Sequence, residues 1–274
     1  MALTVMAVHA HPDDECSSTG GVLAKYSAEG VRTIVVTCTN GELGDGPGGI
    51  KPGEEGHDTE AVAATRTSEL RKACELLRVS HVEMLGYHDS GMADWDYKDH
   101  ERAFSAVPLD AAADRLAAVM ETYRPDVVTT YCIDDGYEHP DHVQVHHVTL
   151  AAVQRCGIPR KVYLSCIRGS DFDRVMGSLR EMGVEIPELE DDDGSWREKL
   201  AAVERRITTT VDVSDYVGQK REALMAHASQ VGESFFAKLP EPVFADAFGL
   251  ESFIKVQDAT GTTVPETDLF AGLR

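Results

Sequence analysis

Two short polar clusters carry the residue types that hydrolytic chemistry needs. The first, His11-Pro12-Asp13-Asp14-Glu15, sets an imidazole and a carboxylate three residues apart with a second carboxylate between them. The second, Gly136-Tyr137-Glu138-His139-Pro140-Asp141-His142, repeats that spacing with two histidines. Zinc in hydrolytic sites takes three nitrogen or oxygen ligands and leaves a fourth position for water. His11, Asp14 and His142 make such a set, and Asp13, which would not be a ligand, can take the proton of an attacking water. Tyr137 and His139 stand just ahead of His142, where they can assist an amide carbonyl and give a proton to the leaving amine. Asp141 is expected to orient the His139 ring and favour its protonated form. Zinc is the expected metal, with ferrous iron as the alternative.

Plainer readings compete with each of these. A lone His-x-x-Asp can be a helix N-cap with a nearby histidine. Asp13, Asp14, Glu15 and Asp141 can be acids favoured at helix N-termini, which explains the charges and not the histidines. His142 and His146 are one helical turn apart and could themselves bind metal, but His146 would lie deeper in its helix. His9 precedes the loop on a strand and reads as a core histidine or one behind the ligands. His57, His81, His88 and His100 have no partner pattern and read as surface residues. The segment Gly41 to Gly49 is rich in glycine without the Lys and Ser/Thr of a phosphate loop, so it reads as a substrate loop.

The clusters need elements to position them. Leu3 to Ala10 is a short apolar run that ends at the first cluster, and Ser17 to Glu29 has helical spacing. Arg32 to Thr39 is β-branched and reads as a buried strand. A helix follows over about Ala61 to Leu77, then a strand at His81 to Leu85 and a helix at Leu109 to Tyr123 that Pro125 terminates. Asp126 to Cys132 predicts a central strand, and the second cluster leads from it into a helix with Pro140 in its first turn. Lys161 to Ile167 adds a strand. Such alternation predicts an α/β fold, Rossmann-like, with a mostly parallel sheet, helices on both faces and a small C-terminal subdomain. Residues 1–168 are read as the catalytic core, and 169–274 as helices and strands that complete it and cover the site. In that second part, helices are expected at Asp171 to Met182 and Ser195 to Ile207, a surface loop at PELEDDDG, strands at Thr208 to Val213 and Ser252 to Val256, and a helix end at Ala223 to Gln230. Ligands in open parallel sheets lie outside the carboxyl ends of the strands, where both clusters fall.

Composition narrows the partners. In 274 residues, 26 Lys and Arg face 47 Asp and Glu, a formal charge of −21, which repels nucleic acid and anionic membranes. No stretch approaches the roughly 20 apolar residues of a membrane span, and the N-terminus lacks a basic region ahead of an apolar one, so a cytoplasmic protein is expected. Six cysteines without CxxC spacing fit buried thiols in a reducing compartment.

AHPDDE after one strand and GYEHPDH after another resemble the PIG-L (LmbE-like) family of zinc-dependent N-deacetylases. The resemblance continues through TCTNGELGD, TRTSELRKACELL, GYHDSGM, AHASQ and ESFIKV, and so covers most of the chain. It implies zinc on His11, Asp14 and His142, Asp13 as general base, and His139 with Tyr137 around the oxyanion and leaving group. It further implies that Arg66 and Asp89 grip sugar or inositol hydroxyls, with Asp45 nearby; a plain alternative for Arg66 is a surface pair with Glu69. Two branches are similar: one deacetylates an N-acetylglucosaminyl-inositol, the other cleaves mycothiol S-conjugates at the glucosamine amide. Ser18, at a position where the second branch typically carries lysine, and the HDSGM segment lean toward the first. Residues 169–207 match neither, which leaves a natural-product amino sugar open. The expected partner is a small amino-sugar substrate, and homo-oligomers, trimers or hexamers, are implied. Outside the hydrolases, the same three ligands could form an iron oxygenase site, which has no need of Asp13, or a fold kept only for binding.

Overall fold

The computed structural model describes residues 2–182, 195–232 and 234–274. Seven strands form one sheet: β1 (Thr4–His9), β2 (Arg32–Thr39), β3 (His81–Tyr87), β4 (Val127–Tyr131), β5 (Lys161–Cys166), β6 (Thr209–Asp212) and β7 (Leu250–Asp258). Ten α-helices accompany them among the described residues: α1 (Asp14–Ala28), α2 (Thr59–Leu76), α3 (Leu109–Tyr123), α4 (Pro140–Cys156), α5 (Gly169–Glu181), α6 (Ser195–Glu204), α7 (Val217–Met225), α8 (Ala228–Val231), α9 (Phe235–Lys238) and α10 (Glu241–Phe248).

The period-2 alternation of the central strands explains the layers. Met6, Val8, Ile34, Val36 and Val128 point to one face and pack with Leu116 of α3 and Val145 and Val148 of α4. Ala7 and Val35 point the other way, onto Leu23 of α1 and Leu70 and Cys74 of α2. Both faces are covered, which is why these strands are nearly continuous apolar runs.

The strand order is β3-β2-β1-β4-β5-β7-β6. From β3 to β5 every pairing is parallel, and β7 is antiparallel to both β5 and β6. After β1 the chain steps outward through β2 and β3, then returns to place β4 on the other side of β1. That reversal opens a crevice at the carboxyl ends of β1 and β4, and the two polar clusters are the segments that follow those two strands. The C-terminal strands extend this same sheet, and β7 enters between β5 and β6 in reverse direction.

Helix boundaries depart from the sequence reading where function is densest. α1 begins at Asp14, three residues before the expected Ser17, because Asp13 turns the chain in the left-handed region (φ 115). Asp14 and Glu15 thereby sit in the first helical turn. α4 begins at Pro140 as expected, with the His139 ring as its cap. The expected PELEDDDG loop lies outside the described residues. All six cysteines are free, and five of them are buried.

Candidate metal centre

Three donor atoms converge where the crevice opens. Asp14 Oδ2 lies 3.5 Å from His11 Nδ1 and 3.4 Å from His142 Nε2, and the three residues form one of three potential metal-holding groups among the described residues. Two nitrogens and one carboxylate oxygen at this separation fit a catalytic zinc, which takes three such protein ligands and leaves a position open. Each donor is held from behind. Tyr131, the last residue of β4, donates its hydroxyl to Asp14 Oδ2 (2.8 Å) and accepts from the Ala10 N–H (2.7 Å). Its ring stacks on His142 with centroids 4.1 Å apart. The His11 backbone N–H also reaches Asp14 Oδ2 (2.8 Å). One tyrosine therefore positions two of the three donors, a role its place in an apolar strand run does not announce.

His11 Nε2, the nitrogen facing away from the cluster, lies 3.1 Å from Asp141 Oδ2. This contact corrects the expected role of Asp141: the carboxylate orients His11, and only the Asp141 backbone N–H reaches His139, donating to its Nδ1 (3.2 Å). Asp141 is itself fixed by Ser90, whose N–H donates to Oδ2 (2.9 Å) and whose hydroxyl donates to Oδ1. A carboxylate on the far nitrogen of a ligating imidazole fixes its tautomer and raises its basicity. Burial alone would lower the His11 imidazole, but the carboxylates of Asp89, Asp14 and Asp141 drive it well above its ordinary value. Asp14 moves the opposite way: burial would raise it, and His142 with His11 holds it well below the carboxylate range. Both directions show a cluster whose field favours a cation.

Asp13 stands beside these donors without joining them. Its left-handed backbone is a conformation that non-glycine residues adopt at a cost, and two contacts hold it there. Its N–H donates to Glu15 Oε2 (3.0 Å), and Arg66 Nη2 donates to its Oδ2 (3.0 Å). Burial raises the Asp13 carboxyl, against the lowering pull of Arg66, which makes it a stronger base than a solvated carboxylate. Arg66 is buried, and its guanidinium also serves the Pro12 carbonyl (2.8 Å) and the Gly41 carbonyl (2.7 Å). The alternative pairing with Glu69 is absent: Glu69 accepts from Ser229. With both terminal nitrogens engaged by the protein, Arg66 positions the Asp13 carboxylate and the glycine loop. Gly41 (φ 65) and Gly44 allow that approach, since a Cβ on either would meet Arg66 within 3 Å.

His139 is pushed down to about 4 by burial and by its neighbour His11. The expected imidazolium is thus a neutral ring that accepts at Nδ1 and leaves Nε2 as the donor. Tyr137 is half-exposed and packs edge-on to His142 at 4.9 Å, with its hydroxyl pushed up to about 12 by burial, so it remains a donor at neutral pH. Asp89 is buried beside His11, its Oδ1 3.5 Å from Nε2 and accepting from the Gly91 N–H (2.8 Å). Asp45 pairs with Lys51 (2.6 Å), and its backbone is tied to Gln230. Ser18 lies on α1 and lines a cavity shared with Asp14. His146 directs Nδ1 to the Tyr131 carbonyl (2.7 Å) and belongs to none of the three potential metal groups. His9 is buried against Thr19 (2.9 Å). His88, read as a surface residue, is partly exposed and has a carboxylate partner that its sequence context did not show, Glu42, at 2.5 Å.

The other two potential metal groups are less open. In His11, Asp89, His139 and Asp141 the hydrogen bonds just described already occupy the carboxylates. In Glu15, Cys16 and His227 everything is buried: Glu15 Oε1 lies 2.7 Å from His227 Nε2 and accepts from the Cys16 thiol (2.9 Å). Burial and the Glu15 charge push that thiol well above its ordinary value, which makes it a poor ligand.

Comparison with known proteins agrees with this geometry. The chain matches the family described as "PIG-L: GlcNAc-PI de-N-acetylase" over residues 6–153. It is 38% identical over 290 residues, 100% of this chain and 96% of the relative, to the 1D-myo-inositol 2-acetamido-2-deoxy-alpha-D-glucopyranoside deacetylase of Acidothermus cellulolyticus. It is 34% identical over 294 residues, 99% of this chain and 98% of the relative, to the mycothiol S-conjugate amidase of Streptomyces coelicolor. Among solved structures, the N,N'-diacetylchitobiose deacetylase from Pyrococcus horikoshii is similar in fold, with a TM-score of 0.57 at 19% identity over 93% of this chain and 84% of that one.

Proposed function

Because the chain belongs to the PIG-L family, we propose that it hydrolyses the N-acyl amide of a glucosamine-type glycoside such as N-acetylglucosaminyl-inositol, with zinc held by His11, Asp14 and His142. The chain is an amide hydrolase of the deacetylase and amidase class. The observation that carries the proposal is the meeting of His11 Nδ1, Asp14 Oδ2 and His142 Nε2 beside a carboxylate, Asp13, that is no part of the donor set.

Bound there, zinc supplies Lewis-acid polarisation of the amide carbonyl and acidifies a water. The protein's own groups do the rest. Asp13, held by Arg66 and by its backbone bond to Glu15, takes the proton of the attacking water. His139 Nε2–H and the Tyr137 hydroxyl donate to the carbonyl oxygen as charge develops on it and assist transfer of the proton to the leaving nitrogen. That nitrogen departs as the free amine, and the acyl group leaves as a carboxylate. Asp89, buried on the His11 flank and lining a hollow beside it, grips a sugar hydroxyl. Among the described residues no helix is long and apolar enough to cross a membrane.

The test is amine release from N-acetylglucosaminyl-inositol, free N-acetylglucosamine and a bimane conjugate of mycothiol by metal-stripped protein, with and without zinc. Zinc-dependent release from the acetylated glycoside is the expected result. Release from the conjugate alone would transfer the chain to the amidase branch, to which it is also similar at 34% identity.

A further inference from the structure

A cavity of about 460 Å³ opens beside the metal cluster. That size encloses a whole small ligand and far exceeds what the methyl of an acetyl group fills. Asp14, His142 and Tyr137 line it, so it is continuous with the reaction centre. From there it runs along α5 and α10, where Phe172, Val175, Met176 and Phe248 face it, with Ile167 beyond the end of β5. Four of the charged groups along this wall pair with one another, and Asp135, near the metal cluster, accepts from the Tyr137 N–H (3.1 Å). Lys220 Nζ donates to Glu251 Oε1 (2.8 Å), and Arg168 donates to both oxygens of Asp171 (2.5 and 2.8 Å). Glu251 also accepts the N–H groups of Gly21 (2.7 Å) and Val22 (2.9 Å). Against the aliphatic and aromatic side chains of this wall a glycan would lose water from its hydroxyls, with Ser17, Ser18, Ser165 and Ser252 among the neutral polar groups in the lining.

The opposite flank of the cluster is polar. Asp89, His139 and Arg66 do not line this cavity, and a separate hollow of about 320 Å³ reaches Asp89 among Asn40, Glu42, Glu60, His88 and Arg102. An amide carries one substituent on its nitrogen and one on its carbonyl carbon. With the amino sugar leaving on the flank of His139 and Asp89, the carbonyl-carbon substituent is directed into the apolar cavity. We propose that this cavity is an acyl subsite, and that the enzyme prefers amides whose acyl group is apolar and longer than acetyl. The inference rests on the amide-hydrolase reading and adds to it the class of acyl group.

Binding of the product carboxylates tests it apart from turnover. Zinc-loaded protein is titrated with acetate and with hexanoate in a calorimeter. Each buried methylene is worth about fourfold in affinity, so four incompletely buried methylenes are expected to tighten hexanoate at least about 30-fold over acetate. Val175→Phe, which fills the cavity, is expected to remove most of that gain and leave acetate binding unchanged; Ile167→Trp, at an exposed rim position, repeats the test without disturbing the core. In parallel, kcat/KM for N-hexanoyl-glucosaminyl-inositol is expected to exceed that for the N-acetyl compound about tenfold, and to fall below it in Val175→Phe. Equal affinity for the two carboxylates, or a ratio untouched by both variants, overturns the acyl subsite. Hexanoate preference without cleavage of either amide overturns the hydrolase reading instead.

Discussion

Asp14 and Glu15 are neighbours on the first turn of α1, and each meets a histidine from far along the chain. Asp14 meets His142 at 3.4 Å and Glu15 meets His227 at 2.7 Å. Asp14 and His142 line a cavity, and the donors of their cluster converge there, with Asp14 Oδ2 also accepting from the Tyr131 hydroxyl and the His11 N–H. The Glu15 cluster is sealed, with no exposed side chain, and its oxygens are engaged by His227, Cys16 and the Asp13 N–H. The same residue types thus make a candidate ligand set where donors converge beside a cavity, and a strut where they are satisfied and dry. The strut has its own use, since it grips the Asp13 backbone and places that carboxylate beside the Asp14 cluster.

The comparison yields predictions in descending order of effect. His142→Ala removes a donor from the open cluster, so metal affinity, measured by competition with a chelator, should fall well beyond the about 10- to 100-fold typical of changes behind the ligands, and turnover should vanish with it. Asp13→Asn should keep the metal and lower kcat by about 10² to 10⁴, the usual range for a general base; unchanged kcat would remove Asp13 from that role. Asp141→Asn, acting through His11, should weaken zinc about 10- to 100-fold while leaving kcat at saturating zinc much less affected.

On the sealed side, His227→Gln should leave zinc affinity alone and cost about 3 kcal/mol of folding stability by breaking a buried pair. Its pH dependence has a definite sign. Burial lowers the His227 imidazole, but Glu15 raises it above its ordinary 6.5 overall, so its contribution is full below pH 6.5 and is lost as pH rises through the raised value. Burial raises Glu15, but His227 brings it below its ordinary 4.5, so its share is full above pH 4.5 and is lost as pH falls through the lowered value. The denaturation difference between variant and wild type should therefore be greatest between pH 4.5 and 6.5. A difference that grew toward alkaline pH would contradict the charged pair.

The open cluster was legible in the sequence because its signal is local. His11, Asp13 and Asp14 sit in five consecutive residues, and Pro140 marks the helix that carries His142. The parallel sheet was legible for a similar reason, since buried strands are continuous apolar runs. What stayed hidden depends on contacts across the chain. Tyr131 ends an apolar strand like any core tyrosine, and its two tasks emerge only when β1 and β4 lie side by side. Asp141 stands next but one to His139 in sequence, which suggested that pair, yet the helical turn at Pro140 aims its carboxylate at His11, 130 positions earlier. His227 sits 212 residues from Glu15, and no spacing rule joins them. The reversed entry of β7 between β5 and β6 was hidden as well, because pairing direction leaves little trace in a single strand.

The central claim is that three donors hold the metal and a fourth residue, Asp13, acts beside it. The most direct measurement is zinc stoichiometry and affinity of wild type, Asp13→Asn and His142→Ala, each paired with turnover at saturating zinc. One zinc per chain is expected at equal affinity in wild type and Asp13→Asn, with turnover lost only in the variant, and weak or no zinc in His142→Ala. Loss of zinc from Asp13→Asn to the same degree as from His142→Ala would make Asp13 a ligand and contradict the division of roles.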